Sequence, residues 1–91
     1  MPDKNLGKII AIFNENRIKI LLQLFVCKEI TCGCDLVEKI KIPKNLLSYH
    51  IGFLKENGLV DEKRCGQKKN YELSPKGVLF IEEFKKIEKL I

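Results

Sequence analysis

The residues with the most distinctive chemistry in this 91-residue sequence are its four cysteines, Cys27, Cys32, Cys34 and Cys65. In a chain expected to be cytosolic they are expected to be reduced, so metal binding, thiol chemistry and packing are weighed before disulfides. Residues two apart in a continuous helix point to nearly opposite sides. Cys32 and Cys34 can therefore chelate one ion only if Cys32 precedes a helix that Cys34 begins, where the helix N-terminus also stabilises the thiolate that binds soft metals and metalloids.

A second group of chemically capable residues lies on the outward face of a predicted helix that Pro43 opens. Lysine can donate to guanine acceptors, asparagine can pair bidentately with adenine, and serine can do either. These residue types therefore suit direct contact with bases, and a solvated helix face is the alternative. The set is Lys44, Asn45, Ser48 and Tyr49. His50 is interpreted as a structural or phosphate-contacting residue in preference to a metal ligand.

Basic residues also surround the tip of a predicted β-hairpin that turns near Gly66. A flexible basic loop beside a base-reading helix neutralises phosphates and releases counterions. A lysine-rich turn that serves solubility is the alternative. The residues are Lys63, Arg64, Lys68 and Lys69.

The spacing of apolar residues predicts helices at both ends of the chain. The first covers residues 5–13, and Asn14 then caps a second helix that runs to about Val26. Ser74 and Pro75 supply the N-cap and first-turn proline of a last helix. Its apolar residues recur at alternating spacings of four and three, and such a stripe requires a second apolar surface to pack against. The stripe consists of Phe80, Phe84, Ile87 and Ile91.

Between these ends the pattern predicts a helix-turn-helix over residues 34–57, with a tight turn at Lys41-Ile42 and a Gly58 cap. A two-stranded wing over residues 59–73 follows. The fold class expected for residues 1–91 is a single, mainly α domain with a small β-hairpin. About five helices and the wing form a winged helix-turn-helix.

Composition sets the broad class of the protein. Apolar residues make up 45% and charged residues 32%, a globular balance, and the formal charge of +5 favours polyanionic partners without identifying them. The N-terminal residues show no signal peptide, and no apolar run approaches the ~20 residues that span a bilayer. A cytoplasmic location and no membrane association are therefore expected.

Three stretches between residues 14 and 73 match a known pattern. They are Asn14-Glu15-Asn16-Arg17-Ile18-Lys19-Ile20-Leu21; Leu47-Ser48-Tyr49-His50-Ile51 with Leu54 and Asn57-Gly58-Leu59-Val60; and Arg64-Cys65-Gly66-Gln67 with Tyr71-Glu72-Leu73. Together they resemble the ArsR/SmtB-type family of winged-helix transcriptional regulators. The resemblance implies a homodimer built from the helices of residues 1–13 and 75–91. Each subunit would place one recognition helix on half of an inverted-repeat DNA operator, repress transcription and release DNA when an inducer binds.

The segment Cys32-Gly33-Cys34-Asp35-Leu36 resembles the Cys-x-Cys-Asp-Leu metal box of arsenic- and cadmium-sensing members of this family. It departs from the pattern at Val37, where a third cysteine is usual, and in having one residue more between Glu29 and the first cysteine. A third thiolate would come from Cys27 or Cys65, the latter from either subunit.

No cofactor is required by this interpretation, and the resemblance implies a thiol-binding effector. Arsenite or antimonite, a soft divalent metal such as cadmium, lead or zinc, and thiol oxidation all stay open, as do purely structural cysteines. With one histidine and no ligand cluster at the last helix, the nitrogen and oxygen zinc site of the family is not expected.

Two other functional classes were weighed against a DNA-binding regulator. The first is a winged-helix module that binds protein through its apolar ends or its wing. Such a module has the same fold but does not bind a DNA operator. An enzyme is disfavoured, because the sequence has no glycine-rich phosphate loop and no Gly-x-Ser-x-Gly motif. A redox enzyme would also more naturally carry Cys-x-x-Cys than Cys-x-Cys.

Overall fold

A computed structural model describes residues 4–27 and 31–91, with the side chains of Lys4, Asn5 and Cys65 excepted. The described residues form five helices and three strands. In chain order these are α1 (Lys4–Ile12), α2 (Glu15–Cys27), β1 (Thr31–Cys32), α3 (Gly33–Ile40), α4 (Lys44–Glu56), β2 (Val60–Cys65), β3 (Lys68–Leu73) and α5 (Pro75–Glu88). Glu29, which is one residue farther from Cys32 than in the metal box of the family, lies outside the described residues.

The strands form one antiparallel sheet in the order β1-β3-β2. The predicted hairpin is confirmed, with Val60 opposite Leu73, Cys65 opposite Lys68, and Gly66 at φ 64 in the turn. Beside this two-stranded wing, β1 adds a third strand that was not predicted, and it pairs Thr31 with Tyr71 and Cys32 with Asn70. A two-residue strand carries no alternation of polar and apolar residues, and its partner lies far along the chain.

The core lies between the helices and one face of the sheet. The predicted inward residues of α4 are buried, and the largest fully buried side chains come from α2, α3, α4, α5 and the segment leading into β2: Ile20, Leu21, Leu36, Ile51, Leu54, Leu59 and Ile81. Burial of apolar side chains of this size is the main favourable contribution to folding. The core therefore holds α3 and α4 against the rest of the domain.

Side-chain caps set the predicted helix starts. Asn14 Oδ1 accepts from the backbone N–H of Asn16 at 2.9 Å, and Ser74 Oγ accepts from that of Gly77 at 3.0 Å. Pro43 departs from its predicted place in the first turn of α4. Its ψ of 150° is extended, so it stands at the N-cap immediately before the helix.

The turn between α3 and α4 forms where it was predicted. Lys41 adopts the left-handed conformation at φ 62, and its N–H donates to the carbonyl of Val37 at 2.9 Å, which closes α3. Gly58, at φ 73, follows the end of α4 in the same way. The order α3, turn, α4, hairpin is that of a winged helix-turn-helix. Among the described residues, no helix is both long and apolar enough to cross a membrane.

Candidate nucleic-acid interface and thiol pair

The outward face of α4 carries the side chains predicted to contact bases. Lys44, Asn45, Ser48 and Tyr49 are all exposed, and Tyr49 keeps 65% of its surface accessible. The first turn of α4 holds no acidic side chain, so the partial positive charge of the helix N-terminus is not offset by a carboxylate of its own. This end of the helix is therefore suited to the negative potential of a DNA groove.

His50 lies on the buried side of α4, with its ring centroid 5.3 Å from that of Tyr49. It is only 5% exposed, and its Nδ1 accepts a hydrogen bond from Nε of Arg17 at 3.0 Å. Burial, and then the charge of Arg17, lower the pKa of His50 from its ordinary value. The burial of His50 and its hydrogen bond with Arg17 favour the structural interpretation of this residue over contact with a phosphate.

Acidification below pH 6.5 is expected to destabilise the protein through His50. The unfolded chain protonates its histidine near the ordinary pKa of about 6.5. The folded chain, with the lowered pKa, does so only at lower pH, so the unfolded state binds more protons in that window. Urea unfolding at pH 7.5 and pH 5.0 should show a loss of stability that shrinks in His50→Asn, which keeps an acceptor for Arg17. An equal loss in both proteins would assign the effect to other groups.

The wing presents the second basic surface. Arg64, Lys68 and Lys69 are exposed at the end of the hairpin. Arg64 Nε lies 3.6 Å from Glu62, whereas Lys68 and Lys69 enter none of the ion pairs found in the described part of the chain. Lys63 is committed to Glu72 at 2.8 Å. Lys68 and Lys69 are therefore the wing residues most available to phosphates.

An ion pair joins the wing to α4. Lys55 Nζ on α4 lies 2.9 Å from Glu62 on β2, and this hydrogen bond is the main cause of the lowered pKa of Glu62. A half-exposed pair contributes little to stability. The pair marks the point at which the end of α4 and the wing lie side by side.

The two cysteines of the Cys-x-Cys segment meet at the start of α3. Cys32 is the N-cap, and its Sγ accepts from the backbone N–H of Cys34 at 3.4 Å. Cys32 thus precedes the helix as expected, although the helix begins at Gly33, one residue before Cys34. A side-chain hydrogen bond from Cys34 is the largest cause of the lowered pKa of Cys32, and the same bond raises the pKa of Cys34. Cys32 is therefore the first of the pair to ionise.

Of the two candidate third ligands, only Cys27 has a side chain that the structure describes. Cys27 is half-buried at the end of α2, where its Sγ accepts from Nε2 of Gln23 at 3.2 Å. Within the described residues, no three His, Cys, Asp or Glu side chains are grouped to hold a metal ion, so Cys27 does not complete a set with Cys32 and Cys34. The side chain of Cys65 lies outside the described part of the structure.

The thiol pair is attached directly to the wing. Cys32 pairs with Asn70 in the sheet, next to Lys69. Gly33, between the two cysteines, lies so close to the ring of Tyr71 that an added Cβ would be 3.2 Å from Cε2. The start of α3 and the strand that carries the basic tip therefore form one packed unit.

Arg17 is a functional candidate that the sequence analysis missed. It is 8% exposed, and Cζ of its guanidinium lies 3.8 Å from the centre of the Phe53 ring. The available signal was its position, since Arg17 precedes Ile20 and Leu21 by three and four residues and therefore occupies the buried face of α2.

The predicted apolar stripes at the two chain ends form one exposed face. Phe13 joins them, with ring centroids 5.7 Å from Phe80 and 6.1 Å from Phe84. Around this junction the apolar side chains of α1 and of α5 with its C-terminal extension are exposed: Leu6, Ile9, Ile10, Leu79, Ile87, Leu90 and Ile91. Phe80 and Phe84 are half-buried.

A winged helix-turn-helix whose recognition helix and wing are both basic defines a DNA-binding transcription regulator. The family model described as "Bacterial regulatory protein, arsR family" matches residues 14–62. The chain belongs to this arsR family of bacterial regulatory proteins. The resemblance inferred from the sequence is thereby confirmed, as is the expectation that the protein is not an enzyme.

Individual relatives agree with this assignment. The arsenical resistance operon repressor of Staphylococcus aureus is 34% identical over 74 residues, which cover 81% of this chain and 70% of that protein. The repressor of the same name from Staphylococcus xylosus is 30% identical over 83 residues, covering 91% and 79%. The structure of HlyU from Vibrio cholerae N16961 superposes with a TM-score of 0.77 at 26% identity, covering 94% of this chain and 97% of that one.

Proposed function

We propose that this chain acts in the cytoplasm as a homodimeric repressor that binds an inverted-repeat operator and is released when Cys32 and Cys34 bind arsenite. The observation that carries the proposal is the position of the thiol pair. Cys34 lies in the first turn of α3, the first helix of the helix-turn-helix, and Cys32 lies in the strand β1 that pairs with the wing. A ligand held by both sulfurs therefore acts on the elements that contact DNA.

The operator part of the proposal rests on the two basic surfaces. Lys44, Asn45, Ser48 and Tyr49 supply groups for base edges, while Arg64, Lys68 and Lys69 supply charge for the phosphates. The two surfaces adjoin where Lys55 at the end of α4 contacts Glu62 on β2.

The dimer rests on the exposed apolar face of α1 and α5. Ile10 of α1 keeps 63% of its surface accessible, and Ile87 of α5 keeps 50%. A contiguous apolar patch on a soluble domain marks an interface. A twofold pair formed through this face presents two copies of α4, which is why the operator is proposed to be an inverted repeat.

Arsenite is the effector favoured by the relatives, since two of them are named as repressors of arsenical resistance operons. Trivalent arsenic is a soft centre that prefers thiolate ligands. As each As–S bond forms, the thiol proton leaves with an arsenic-bound hydroxide as water. Cys32 and Cys34 are the two thiols that would supply these bonds, and their sulfurs meet at the start of α3.

The test begins by selecting a duplex from a random pool with the reduced protein. Fluorescence anisotropy should then show two chains on one inverted repeat and a fall in affinity of about tenfold or more with arsenite, a coupling of common allosteric size. Cys32→Ser and Cys34→Ser should keep the affinity and lose the response. Cys27→Ser, outside the pair, should respond like wild type.

Three outcomes would contradict parts of the proposal separately. Selection of no duplex would remove the operator and favour the protein-binding module. Release by cadmium or a mild oxidant, and not by arsenite, would replace the effector. An operator that no thiol reagent affects would make the cysteines structural and the regulator independent of an effector.

A further inference from the structure

Arg17 connects three helices through contacts that use different parts of one side chain. Its Nη1 donates to the carbonyl oxygen of Ala11 in α1 at 2.6 Å, and its Nε donates to Nδ1 of His50 in α4 at 3.0 Å. The face of the guanidinium lies over the Phe53 ring of the same helix at 3.8 Å, with Tyr49 at 5.7 Å. The side chain itself belongs to α2, where the Asn14 cap holds its backbone N–H.

These contacts depend on the shape of the guanidinium. Arg17 enters none of the ion pairs found among the described residues, so its charge is met by a carbonyl, an imidazole and two ring faces. The planar guanidinium holds its donors at fixed angles, whereas lysine offers a point charge and an apolar residue offers no donor. The angle between the end of α1 and the middle of α4 is thereby tied to one rigid group.

We propose that Arg17 is the positioning residue that fixes the orientation of α4 relative to the apolar face of α1 and α5, and so sets the half-site spacing that the dimer accepts. The inference rests on the proposed function, since it requires pairing through that face and an inverted-repeat operator. Ala11 is next to the buried Ile12, and Phe13 follows with its contacts to α5. The Arg17 bridge is therefore a direct connection between the pairing face and the recognition helix of the same subunit.

The consequence concerns the geometry of the duplex. Recognition helices of such dimers enter grooves one helical turn apart, about 34–36 Å, and one added base pair rotates a half-site by about 34°. A rigid bridge makes affinity fall steeply with any change of spacing. When the Arg17 contacts are weakened, α4 can reorient toward the displaced half-site.

The experiment measures affinity of the full-length protein for the selected operator with one or two base pairs inserted or deleted between the half-sites. Wild type should lose about tenfold or more per step, the range in which a mispositioned half-site forfeits its contacts. Arg17→Met, which fills the volume without donors, and Arg17→Lys, which keeps the charge, should vary by less than about threefold over the series. Lys19→Met, an exposed neighbour on α2, should keep the wild-type profile.

A purely structural role gives a different result. If Arg17→Met and Arg17→Lys lose affinity equally at every spacing, with lower melting temperatures and an unchanged profile, the positioning role is overturned. If Arg17→Met does not fold, the profile of Arg17→Lys decides between the two. If wild type shows no preference among spacings on a duplex it binds, the dimeric operator of the proposed function fails, independently of Arg17.

Discussion

Replacing Gly77 by alanine is expected to lower the free energy of unfolding by about 2–3 kcal/mol, the upper range for an overpacked site. A Cβ at this position would collide with the carbonyl oxygen of Leu59 and meet Cδ2 of Leu73 at 3.2 Å. The Leu59 carbonyl also accepts from the N–H of Ser74 at 3.0 Å, so it cannot retreat without straining that bond. At Gly77, the third residue of α5, the helix therefore packs so closely against the backbone of Leu59 that no side chain fits between them.

Gly52 provides the matched control, because it is also inside a helix. No atom lies within 4 Å of a Cβ built there. Gly52→Ala is expected to raise stability by about 0.5–1 kcal/mol, the ordinary helix-propensity gain over glycine. Urea unfolding of the two variants should shift the midpoint in opposite directions. A gain in stability for Gly77→Ala would show that α5 can move away from Leu59.

Reversing both free charges of the wing, in Lys68→Glu with Lys69→Glu, is expected to weaken operator binding by about 100-fold at physiological salt. Each lysine that neutralises a phosphate contributes close to one unit to the slope of log affinity against log salt. In the proposed dimer, two such residues from each subunit make four contacts. The slope should therefore fall by roughly three to four units, measured by anisotropy between 50 and 200 mM salt.

The control places the same charge change elsewhere on the surface. Lys8→Glu with Lys89→Glu, on exposed positions of α1 and at the end of α5 that lie away from the apolar stripes of these helices, also takes the formal net charge from +5 to +1, since two reversals subtract four. This variant should bind within a few-fold of wild type. If it loses as much affinity as the wing variant, binding reflects overall charge and the wing makes no local contact.

Local signals account for the parts of the fold that were predicted correctly. Asn14 and Ser74 are side chains that cap helices, and both were identified as caps before the structure was known. The apolar spacing of α4 correctly placed Leu47, Ile51 and Leu54 inside. These features depend on residues within one or two helical turns of each other, so the sequence pattern is sufficient to predict them.

The features that were missed depend on partners distant in sequence. The pairing of β1 with β3 involves only two residues, too few for a pattern. Arg17 was given no role of its own, and His50 was interpreted as structural or phosphate-contacting, because a charged or titratable residue is usually exposed and its buried partner is not visible in the sequence. The burial of Arg17 and the burial of His50 depend on each other, because each supplies the hydrogen-bond partner that the other needs.

The thiol pair was predicted in part. The requirement that Cys32 precede the helix came from helical geometry and agrees with its position at the N-cap. The hydrogen bond that makes the two cysteines unequal depends on side-chain orientation at the cap, which spacing does not specify. The connection to the wing could not be foreseen without β1.

Cys32 pairs in the sheet through its backbone and caps α3 through its Sγ. These two roles bear on how the sequences of such regulators diverge in evolution. Its pairing with Asn70 uses the backbone, which is the same for any residue with an N–H and a carbonyl. Its cap uses Sγ, and serine or aspartate fills that role as well or better. Point substitutions at position 32 can therefore remove or restore this sulfur at little cost to the fold, so the proposed effector response can change during evolution while the DNA-binding frame stays the same.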